Sequence, residues 1–436
     1  MKFALINPKW SYEGSVYFGC KEAHFPLEFG YTREILKRNG HEAVLIDGQL
    51  ENIHLEEISV RVAQFKPDFI VITTAPGYLF WRCPPPELRI PMETANALRG
   101  AGGEIIIVGP HASTTPEASA KKIGADAAIA GECEDVIPLL SEDLNGNPSV
   151  YLPGSEPKRC TPNITSMEHL PAIKWPAGTI ALHKHHHHRF DMKQEGLAAE
   201  VESSRGCPYH CTFCAKENFR GAYRKRPLNV LLEEIDHLIR HGVQYLYFID
   251  ELFIPDERLL QELALRKIKF GIQTRIDLWN RDVLELLGKA GCVSVEAGVE
   301  SISEAGRGSL GKKIHISDEE ITNRLVTAKK FIPFVQANLL HAGFDGSKEI
   351  EAWRGKLISQ GVWANKPVPV FPYPGSGEYF RRWGNPDEYS WERAHCFYLN
   401  EYHEFSDIQE ASPLPIEKLE SRKGTCLENN FTSTAY

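Results

Sequence analysis

Almost entirely apolar runs alternate with segments of helical periodicity over the first 140 or so residues. The apolar runs predict strands at Lys2 to Pro8, His41 to Asp47, Asp68 to Thr74, Glu104 to Val108 and Asp126 to Ala130. The periodic segments predict helices at Leu27 to Arg38, near His54 to Phe65, near Pro91 to Arg99, at Pro116 to Ile123 and from Glu134. Because strands that are apolar on both faces are typical of a parallel sheet covered on both sides, residues 1–144 are expected to form a doubly wound, Rossmann-like α/β domain. Ligands bind such a sheet at the carboxyl ends of its strands.

The second half of the chain repeats the strand-helix alternation after an irregular stretch rich in Pro, Gly and His. We expect a linker or draped loop at 145–197 and a partial (β/α)6 barrel at 198–380, followed by a C-terminal extension at 381–436. Strands are predicted near 199–203, 245–249, 269–274, 293–297, 334–340 and 368–371. The clearest helices precede Gly242 and Gly291, which suit left-handed caps. Functional groups of a barrel lie at the carboxyl ends of its strands.

The composition narrows the class of protein. In 436 residues there are 58 acidic and 49 basic ones, a net charge of −9 with a pI near 6.0. No basic field is available for nucleic acid or an anionic membrane, so neither is expected as a partner. No run approaches the ~18 apolar residues of a membrane-spanning helix, and the amino terminus lacks a signal-peptide pattern, so we expect a cytoplasmic protein.

Three of the ten cysteines are clustered. Cys207, Cys211 and Cys214 have CxxxCxxC spacing directly after a predicted strand, whereas Cys20, Cys83, Cys133, Cys160, Cys292, Cys396 and Cys426 are scattered and are expected to be small buried residues. Three thiolates on one loop can bind three irons of a [4Fe–4S] cube and leave the fourth iron open to a substrate or cofactor. The alternative, a zinc knuckle, requires a fourth Cys or His, and the adjacent His210 is poorly placed to serve.

The segment 202–214, ESSRGCPYHCTFC, resembles the signature of radical S-adenosylmethionine (radical SAM) enzymes in its Arg-Gly-Cys-Pro lead-in, its spacing and Phe213. Downstream segments are similar to the strand ends of that family, namely 248–251 (FIDE), 274–277 (TRID) and 298–301 (GVES). Residues 372–376 (PYPGS) resemble a Pro-Gly-Thr segment of one large branch, which carries an amino-terminal cobalamin-binding domain.

The first domain fits that branch through two further motifs. Residues 109–113 (GPHAS) and 131–134 (GECE) are similar to the family's Gly-Gly-x-His and Gly-Glu-x-Glu segments, although ordinary turn chemistry could equally explain GPHAS. The resemblance implies cobalamin, surrounded by Thr73, Thr74, Gly109, Pro110, His111, Gly131 and Glu132. The Asp-x-His-x-x-Gly stretch that supplies a cobalt-binding histidine in methionine synthase-type domains is absent. Residues 22–26 (EAHFP) do not match it. The resemblance therefore implies cobalamin without that ligand, and loss of the cofactor is the alternative.

The resemblance also implies roles in the barrel. The three cysteines would hold the [4Fe–4S] cluster, the open iron would bind S-adenosylmethionine, and a flavodoxin or ferredoxin would supply electrons. Phe213 would lie near the adenine, and charged groups at successive strand ends would bind the amine, carboxylate and ribose, namely Glu251, Arg275 and Glu300 with Ser301. The alternative for these charged residues is a structural ion-pair network.

Two charged segments leave alternatives open. The basic residues around the cysteines, Arg205, Lys216, Arg220, Arg224, Lys225 and Arg226, could stabilise the reduced cluster, bind an anionic substrate or form a solvated helix surface. The run of His183 and His185 to His188 could bind a second metal, face the substrate or form a solvated loop.

The expected function is that of a cobalamin-dependent radical SAM enzyme, a methyltransferase acting on an unactivated carbon of a small biosynthetic intermediate, such as one of a polysaccharide or secondary-metabolite pathway. A radical rearrangement, ring contraction or oxidation without methyl transfer is one alternative. A non-catalytic iron–sulfur or corrinoid carrier is another, and the charged strand ends argue against it.

Overall fold

The computed structural model describes residues 1–17, 22–77, 83–142, 146–154, 160–184, 196–401 and 413–420. The chain forms two compact units. The first unit contains the described residues of Met1–Ile173, Phe213–Gly221 and Phe371–Tyr436, and the second contains those of Lys174–Thr212 and Ala222–Val370.

The strands are, in chain order, β1 Lys2–Asn7, β2 Glu42–Asp47, β3 Phe69–Thr73, β4 Glu104–Val108, β5 Ala127–Ile129, β6 Val150–Tyr151, β7 Leu197–Val201, β8 Ser204–Arg205, β9 Arg224–Lys225, β10 Val243–Phe248, β11 Lys269–Thr274, β12 Cys292–Glu300, β13 Phe334–Leu339 and β14 Trp363–Ala364. The helices are α1 Leu27–Arg38, α2 Leu55–Phe65, α3 Arg89–Leu98, α4 Pro110–Thr114, α5 Pro116–Ile123, α6 Ala177–Leu182, α7 Leu228–Arg240, α8 Glu257–Arg266, α9 Arg281–Lys289, α10 Glu304–Ser309, α11 Asp318–Phe331, α12 Ser347–Ser359, α13 Gly377–Trp383, α14 Ser390–Glu401 and α15 Ile416–Glu420. Short 3₁₀ helices span Ile137–Ser141, Lys216–Asn218 and Ile276–Leu278.

The sheet of the first unit has the order β2-β1-β3-β4-β5-β6 and is parallel except for β6, which pairs antiparallel with β5. Ile6 of β1 lies opposite Ile46 of β2 and Ile72 of β3, and all three are buried. The apolar pattern therefore predicted the fold class correctly, because these strands are covered on both faces.

The C-terminal extension contributes to a second apolar cluster of the first unit. Tyr379, Trp391 and Tyr398 are buried there together with Val16 and Ala215. This cluster fixes α13 and α14 within the first unit.

The second unit is built on six parallel strands in the order β14-β13-β12-β11-β10-β7, the open barrel that the alternation predicted. The two-stranded ribbon β8-β9 follows β7. Gly242 and Gly291 end α7 and α9 with φ angles of +89° and +104°, as their positions predicted.

Two predicted elements differ from the structure because of proline. The sixth barrel strand is Trp363–Ala364, and Val368 forms only an isolated bridge to Leu340, since Pro367 and Pro369 have no N–H to donate. A helix does not begin at Glu134. Pro138 cannot donate to the Glu134 carbonyl, and a 3₁₀ helix forms at Ile137–Ser141 instead.

Within the described part of the chain, no helix combines the length and the apolar character needed to cross a bilayer. Of the scattered cysteines that the structure describes, Cys133 and Cys292 are buried as expected. Cys83, Cys160 and Cys396 are partly exposed, so the prediction of burial was wrong for these three. Cys20 and Cys426 lie outside the described residues.

Candidate functional site

The cysteine loop follows β7 at the carboxyl end of the barrel sheet. Cys207, Cys211 and Cys214 are all partly exposed, and Phe213 is half-buried. The loop is introduced by β8, whose Arg205 is fully buried and donates from Nε to Glu202 Oε2 at 2.9 Å. The three thiols therefore lie on a loop whose preceding residues are fixed by a buried ion pair.

The end of β10 holds the start of the cysteine loop. Asp250 accepts a hydrogen bond from the Ser203 amide at 2.8 Å and from the hydroxyls of Ser203 and Ser204. Burial raises the pKa of the Asp250 carboxyl to about 7, and these hydrogen bonds oppose that rise. Glu251 Oε2 accepts from the Gly206 amide at 2.7 Å, so Glu251 contacts the residue directly before Cys207.

Arg275, after β11, is held by three groups. Its guanidinium lies over the Tyr209 ring, with Cζ 3.7 Å from the ring centroid, and forms a two-point contact with Asp277 at 3.1 and 3.0 Å. It also donates to the Lys313 carbonyl. Tyr209 belongs to the cysteine loop, so the predicted cofactor-binding arginine does lie beside that loop.

Glu300, at the end of β12, has a left-handed backbone with φ +66°. Its Oε1 accepts from Lys312 Nζ at 2.8 Å, and both side chains are largely buried. A non-glycine residue in this conformation is uncommon, and such backbone strain is often found at functional sites.

Ser301, the residue after β12, binds the segment that follows this strand. It is fully buried and donates from Oγ to Asp345 Oδ2 at 2.6 Å. Asp345 also accepts from the Ile302 amide and from Ser303 Oγ. Ser301 therefore organises the turn after β12.

The cysteine loop and these strand ends share one electrostatic environment. Burial raises the pKa of the Cys211 thiol, while Lys312 and Arg275 lower it and Glu300 and Cys207 raise it. Partly exposed thiols on one short loop are ligands that a soft metal centre prefers, and binding of the metal releases their protons. This donor set fits a [4Fe–4S] cluster.

In the first unit, the two motifs at the ends of β4 and β5 are joined by one hydroxyl. Ser113 Oγ donates to the Gly109 carbonyl at 2.7 Å and accepts from the Gly131 amide at 2.9 Å. The GPHAS and GECE segments, distant in sequence, therefore form one edge of the sheet, where ligands of doubly wound folds bind.

The remaining predicted residues of this edge are buried. Thr73 donates to the Ala75 carbonyl, whereas Thr74 Oγ1 is buried without a hydrogen-bond partner among the described residues. Gly109 has φ +114°, and a Cβ there would lie 2.6 Å from Thr74 Oγ1, so only glycine fits beside it. Pro110 begins α4, and the imidazole of His111 packs against Trp391 in a tilted arrangement, with ring centroids 4.1 Å apart.

Electrostatics keep His111 neutral. Burial, with a smaller contribution from the charge of Lys122, lowers the pKa of its imidazole to about 3. Together with the unpartnered Thr74 hydroxyl, this gives an uncharged, partly polar edge. Such an edge fits the large, mostly neutral corrinoid and its polar side chains.

Gly131 and Glu132 hold a neighbouring segment of the chain. Gly131 has φ +85°, and a Cβ there would lie 2.3 Å from the Asn163 amide nitrogen. Glu132 is fully buried, with Oε2 accepting from the Thr165 amide at 2.8 Å and Oε1 3.6 Å from Arg220 Nη1. The carboxylate of Glu132 therefore fixes the backbone at Thr165.

Comparison with protein families decides the class. The radical SAM superfamily model matches residues 201–347, and the B12 binding domain model matches residues 20–141. The first match contains the cysteine loop and strands β8 to β13, and the second contains strands β2 to β5 with the GPHAS and GECE segments. The chain belongs to the radical SAM enzymes with an amino-terminal cobalamin-binding domain.

Individual relatives of this radical SAM enzyme are distant. An uncharacterized methyltransferase of Pyrococcus horikoshii is 24% identical over 325 residues, which cover 70% of this chain and 67% of the relative. The anaerobic magnesium-protoporphyrin IX monomethyl ester cyclase of Cereibacter sphaeroides is 23% identical over 356 residues, covering 75% of this chain and 55% of the relative. This chain thus spans only about half to two thirds of those proteins.

Among solved structures, the radical SAM methyltransferase TsrM of Kitasatospora setae, with cobalamin and a [4Fe–4S] cluster bound, superposes with a TM-score of 0.65 at 15% identity. The match covers 86% of this chain and 76% of TsrM. At this identity the likeness establishes the fold.

The cofactors of the radical SAM enzyme follow from its class and match the prediction: S-adenosylmethionine, a [4Fe–4S] cluster and cobalamin. Cys207, Cys211 and Cys214 would hold the cluster. Cobalamin would lie against the edge formed by Thr74, Gly109 and Gly131.

Most of the basic stretch of the radical SAM enzyme is buried within the protein. Arg205, Lys216, Arg220 and Arg226 are buried, so a solvated helix surface was the wrong interpretation for them. Carboxylates pair with four members of the stretch, in the pairs Arg205–Glu202, Arg220–Glu132, Arg226–Glu234 and Lys225–Asp256. A buried cation is stable only with such a partner.

Three contributors to the site were not predicted. Lys312 binds Glu300, and Asp250 binds the start of the cysteine loop. Ser113 joins the GPHAS and GECE segments. The lysine pair 312–313 after the fourth barrel strand was the only hint of Lys312 in the sequence. Of the histidine run, His183 is buried directly after α6, and His185 to His188 lie outside the described residues.

Proposed function

We propose that this radical SAM enzyme is a methyltransferase that adds a methyl group to an unactivated carbon of a small biosynthetic intermediate. The observation that carries the proposal is the presence, in one chain, of a three-cysteine loop at the carboxyl edge of a six-stranded barrel and a doubly wound domain with the cobalamin motifs. The methyltransferase names of a relative and of a solved structure support it.

When bound, the cofactors supply radical formation from S-adenosylmethionine and methyl transfer. The protein's part is to bind and orient them. Glu251 and Glu300 offer carboxylate oxygens to an ammonium or to hydroxyls, and Arg275 offers a planar guanidinium to a carboxylate. Phe213 offers an apolar ring to the adenine.

Two of these groups form ion pairs within the protein. Arg275 is bound to Asp277 and Glu300 to Lys312, as the ion-pair alternative predicted. The proposal requires that binding of S-adenosylmethionine exchanges or extends these contacts. Glu251 Oε2 accepts from the Gly206 amide at 2.7 Å, so its carboxylate lies at the start of the cysteine loop.

The substrate is proposed to be a small molecule, such as an intermediate of polysaccharide or secondary metabolism, and the electron donor a flavodoxin or ferredoxin. Because four of the six basic residues that suggested an anionic substrate are paired with carboxylates, an uncharged substrate is favoured. We further propose that the protein acts in the cytoplasm, in keeping with its net charge of −9 and its oxygen-sensitive cofactor.

The test is anaerobic reconstitution of the full chain with iron, sulfide and cobalamin, followed by reduction in the presence of S-adenosylmethionine. We expect retained corrinoid, 5′-deoxyadenosine, and S-adenosylhomocysteine whose formation depends on added cobalamin. Deoxyadenosine without S-adenosylhomocysteine would reject methyl transfer but keep radical chemistry. Neither product, with full iron loading, would reject the enzyme in favour of a carrier protein.

A second candidate function is a radical cyclisation, rearrangement, ring contraction or oxidation without methyl transfer. The observation that favours it is the relationship to the monomethyl ester cyclase of Cereibacter sphaeroides. The mass of the product decides, since methyl transfer adds one methylene unit to the substrate and the alternatives do not.

A further inference from the structure

Residues 310–313 of the second unit, here called the lysine segment, lie directly against the cysteine loop. The Thr212 amide donates to the Leu310 carbonyl at 2.8 Å. Gly311 has φ +64°, and a Cβ there would lie 3.0 Å from the His210 carbonyl oxygen and 3.2 Å from Thr212 Cγ2. The close approach of the two segments therefore depends on glycine at position 311.

The lysine segment is also fixed from its other side. The Lys312 amide donates to the Arg307 carbonyl at 2.9 Å, and the Lys313 carbonyl accepts from the Arg275 guanidinium. Arg307 in turn donates to the Ser301 carbonyl at 3.0 Å. The backbone of Lys312 is thus held between the cysteine loop and the turn that follows β12.

The side chain of Lys312 is held as firmly as its backbone. It is 4% exposed, and its Nζ lies 2.8 Å from Glu300 Oε1. Gly298 provides the space, since a Cβ there would lie 2.5 Å from Glu300 Oε1 and 3.1 Å from Lys312 Nζ. An ammonium this well buried is not free to move into solvent.

Lys312 lies beside the cysteine loop. Leu310 and Gly311, directly before it, contact Thr212 and the His210 carbonyl, and these two loop residues flank Cys211. The ion-pair partner of Lys312, Glu300, ends β12. In a partly buried site such charges are poorly screened and act over several ångströms.

We propose that Lys312 is a further residue of the cluster site, whose buried ammonium raises the reduction potential of the [4Fe–4S] cluster and holds Glu300 at the end of β12. The physical reason is that one-electron reduction adds negative charge to the cluster, which a nearby fixed cation stabilises. The inference rests on the three cysteines as cluster ligands and is independent of methyl transfer.

The test compares Lys312→Gln with Lys313→Gln in the anaerobically reconstituted full chain. Lys313 is exposed and adjacent, so its variant removes the same charge from solvent, while its backbone contact with Arg275 is retained. The midpoint potential is measured by dithionite titration followed by electron paramagnetic resonance, without S-adenosylmethionine. We expect Lys312→Gln to lower the reduced-to-oxidised ratio at a fixed potential roughly tenfold, about 59 mV for one electron. Lys313→Gln should leave that ratio within about twofold of the wild type.

Two more variants separate this role from a structural one. Lys312→Arg should keep the wild-type potential, and Glu300→Gln should shift the potential in the opposite direction to Lys312→Gln, because it removes a negative charge near Cys211. If Lys312→Gln binds no cluster, the midpoint potentials of Lys312→Arg and Glu300→Gln test the proposal. Equal potentials in all variants, or shifts of the same sign for Lys312→Gln and Glu300→Gln, would overturn the proposal. Failure of the wild-type chain to bind iron through its cysteines would instead overturn the ligand assignment.

Discussion

Arg220 and Glu132 meet inside the first unit, with Nη1 of the arginine 3.6 Å from Oε1 of the glutamate and both side chains withdrawn from solvent. Arg220 follows the cysteine loop in the chain, and Glu132 belongs to the GECE segment after β5. The buried glutamate Glu28, on α1, also interacts with this arginine. The first unit therefore anchors the stretch that follows Cys214 on the carboxyl edge of its own sheet.

Loss of this arginine should strongly destabilise the protein. Arg220→Met leaves the carboxylate of Glu132 buried without its cation, so we expect a loss of about 3–5 kcal/mol in the free energy of unfolding. The double variant Arg220→Met/Glu132→Gln should recover much of this loss, because the uncompensated charge is removed. Urea unfolding of the full chain provides the measurement.

A matched control is Arg381→Met, which breaks an exposed ion pair with Glu378 and should cost about 1 kcal/mol or less. Equal costs for Arg220→Met and Arg381→Met would show that the buried pair has no special role.

Removal of any one of the three loop cysteines should abolish a stable [4Fe–4S] cluster. Cys207→Ala, Cys211→Ala and Cys214→Ala each leave two thiolates, too few to hold a cube with one open iron. Iron and acid-labile sulfide per chain, after anaerobic reconstitution, are the quantities to measure. Cys160→Ala is the control, since Cys160 is partly exposed like the loop cysteines but lies far before the loop in the sequence. Iron loading equal to the wild type in Cys211→Ala would contradict the ligand assignment.

Alanine at position 131 should be far more harmful than alanine at position 40. Both glycines have left-handed backbones, with φ +85° and +78°, so both substitutions carry a conformational cost of about 1–2 kcal/mol. Only Gly131 is also crowded, with a Cβ placed 2.3 Å from the Asn163 amide nitrogen, whereas nothing lies within 4 Å of a Cβ at Gly40. Gly131→Ala should therefore lose several kcal/mol in urea unfolding, on the order of a buried steric conflict, and retain less cobalamin after gel filtration. Similar stabilities for the two variants would show that the backbone of Asn163 moves at little cost to accommodate the added methyl group.

Glu28 should make the protein less stable as the pH rises. Burial raises the pKa of its carboxyl from the ordinary 4.5 to about 8, with Glu134 and Asp47 adding to the rise and Arg220 opposing it. Between these two values the unfolded chain is ionised at this residue while the folded chain holds a proton, so unfolding releases a proton and stability falls with pH. The slope for one such proton is about 1.4 kcal/mol per pH unit.

Glu28→Gln removes this proton release. Its stability relative to the wild type should therefore increase between pH 5 and pH 8, measured by urea unfolding at a series of pH values. Glu42→Gln, which alters an exposed glutamate, should leave the pH dependence of the wild type unchanged. A constant difference between Glu28→Gln and the wild type across this range would mean that Glu28 is ionised in the folded protein.

Much of the architecture could be read from local sequence because period-two and period-3.6 patterns are local properties of the chain. The bounds Leu27 to Arg38 and Pro116 to Ile123 match α1 and α5, and the glycine caps of α7 and α9 lie where predicted. The errors arose where proline removed a backbone donor, at Pro138 and in the last barrel strand around Pro369. The CxxxCxxC spacing likewise identified the chemistry, since ligands on one short loop need no tertiary information.

What the sequence alone could not determine is which charged groups meet. The pattern placed Glu300 and Arg275 at strand ends, but only the packed barrel brings Lys312 to Glu300 and Tyr209 to Arg275. Likewise, the sequence left open whether the basic residues after β7 form a solvated surface. The tertiary structure buries four of the six, three of them against the carboxylates of Glu202, Glu132 and Glu234. The physical reason is that hydrophobic periodicity depends on neighbours along the chain, whereas the pairing of a charge depends on groups brought close by folding, and burial makes that pairing obligatory.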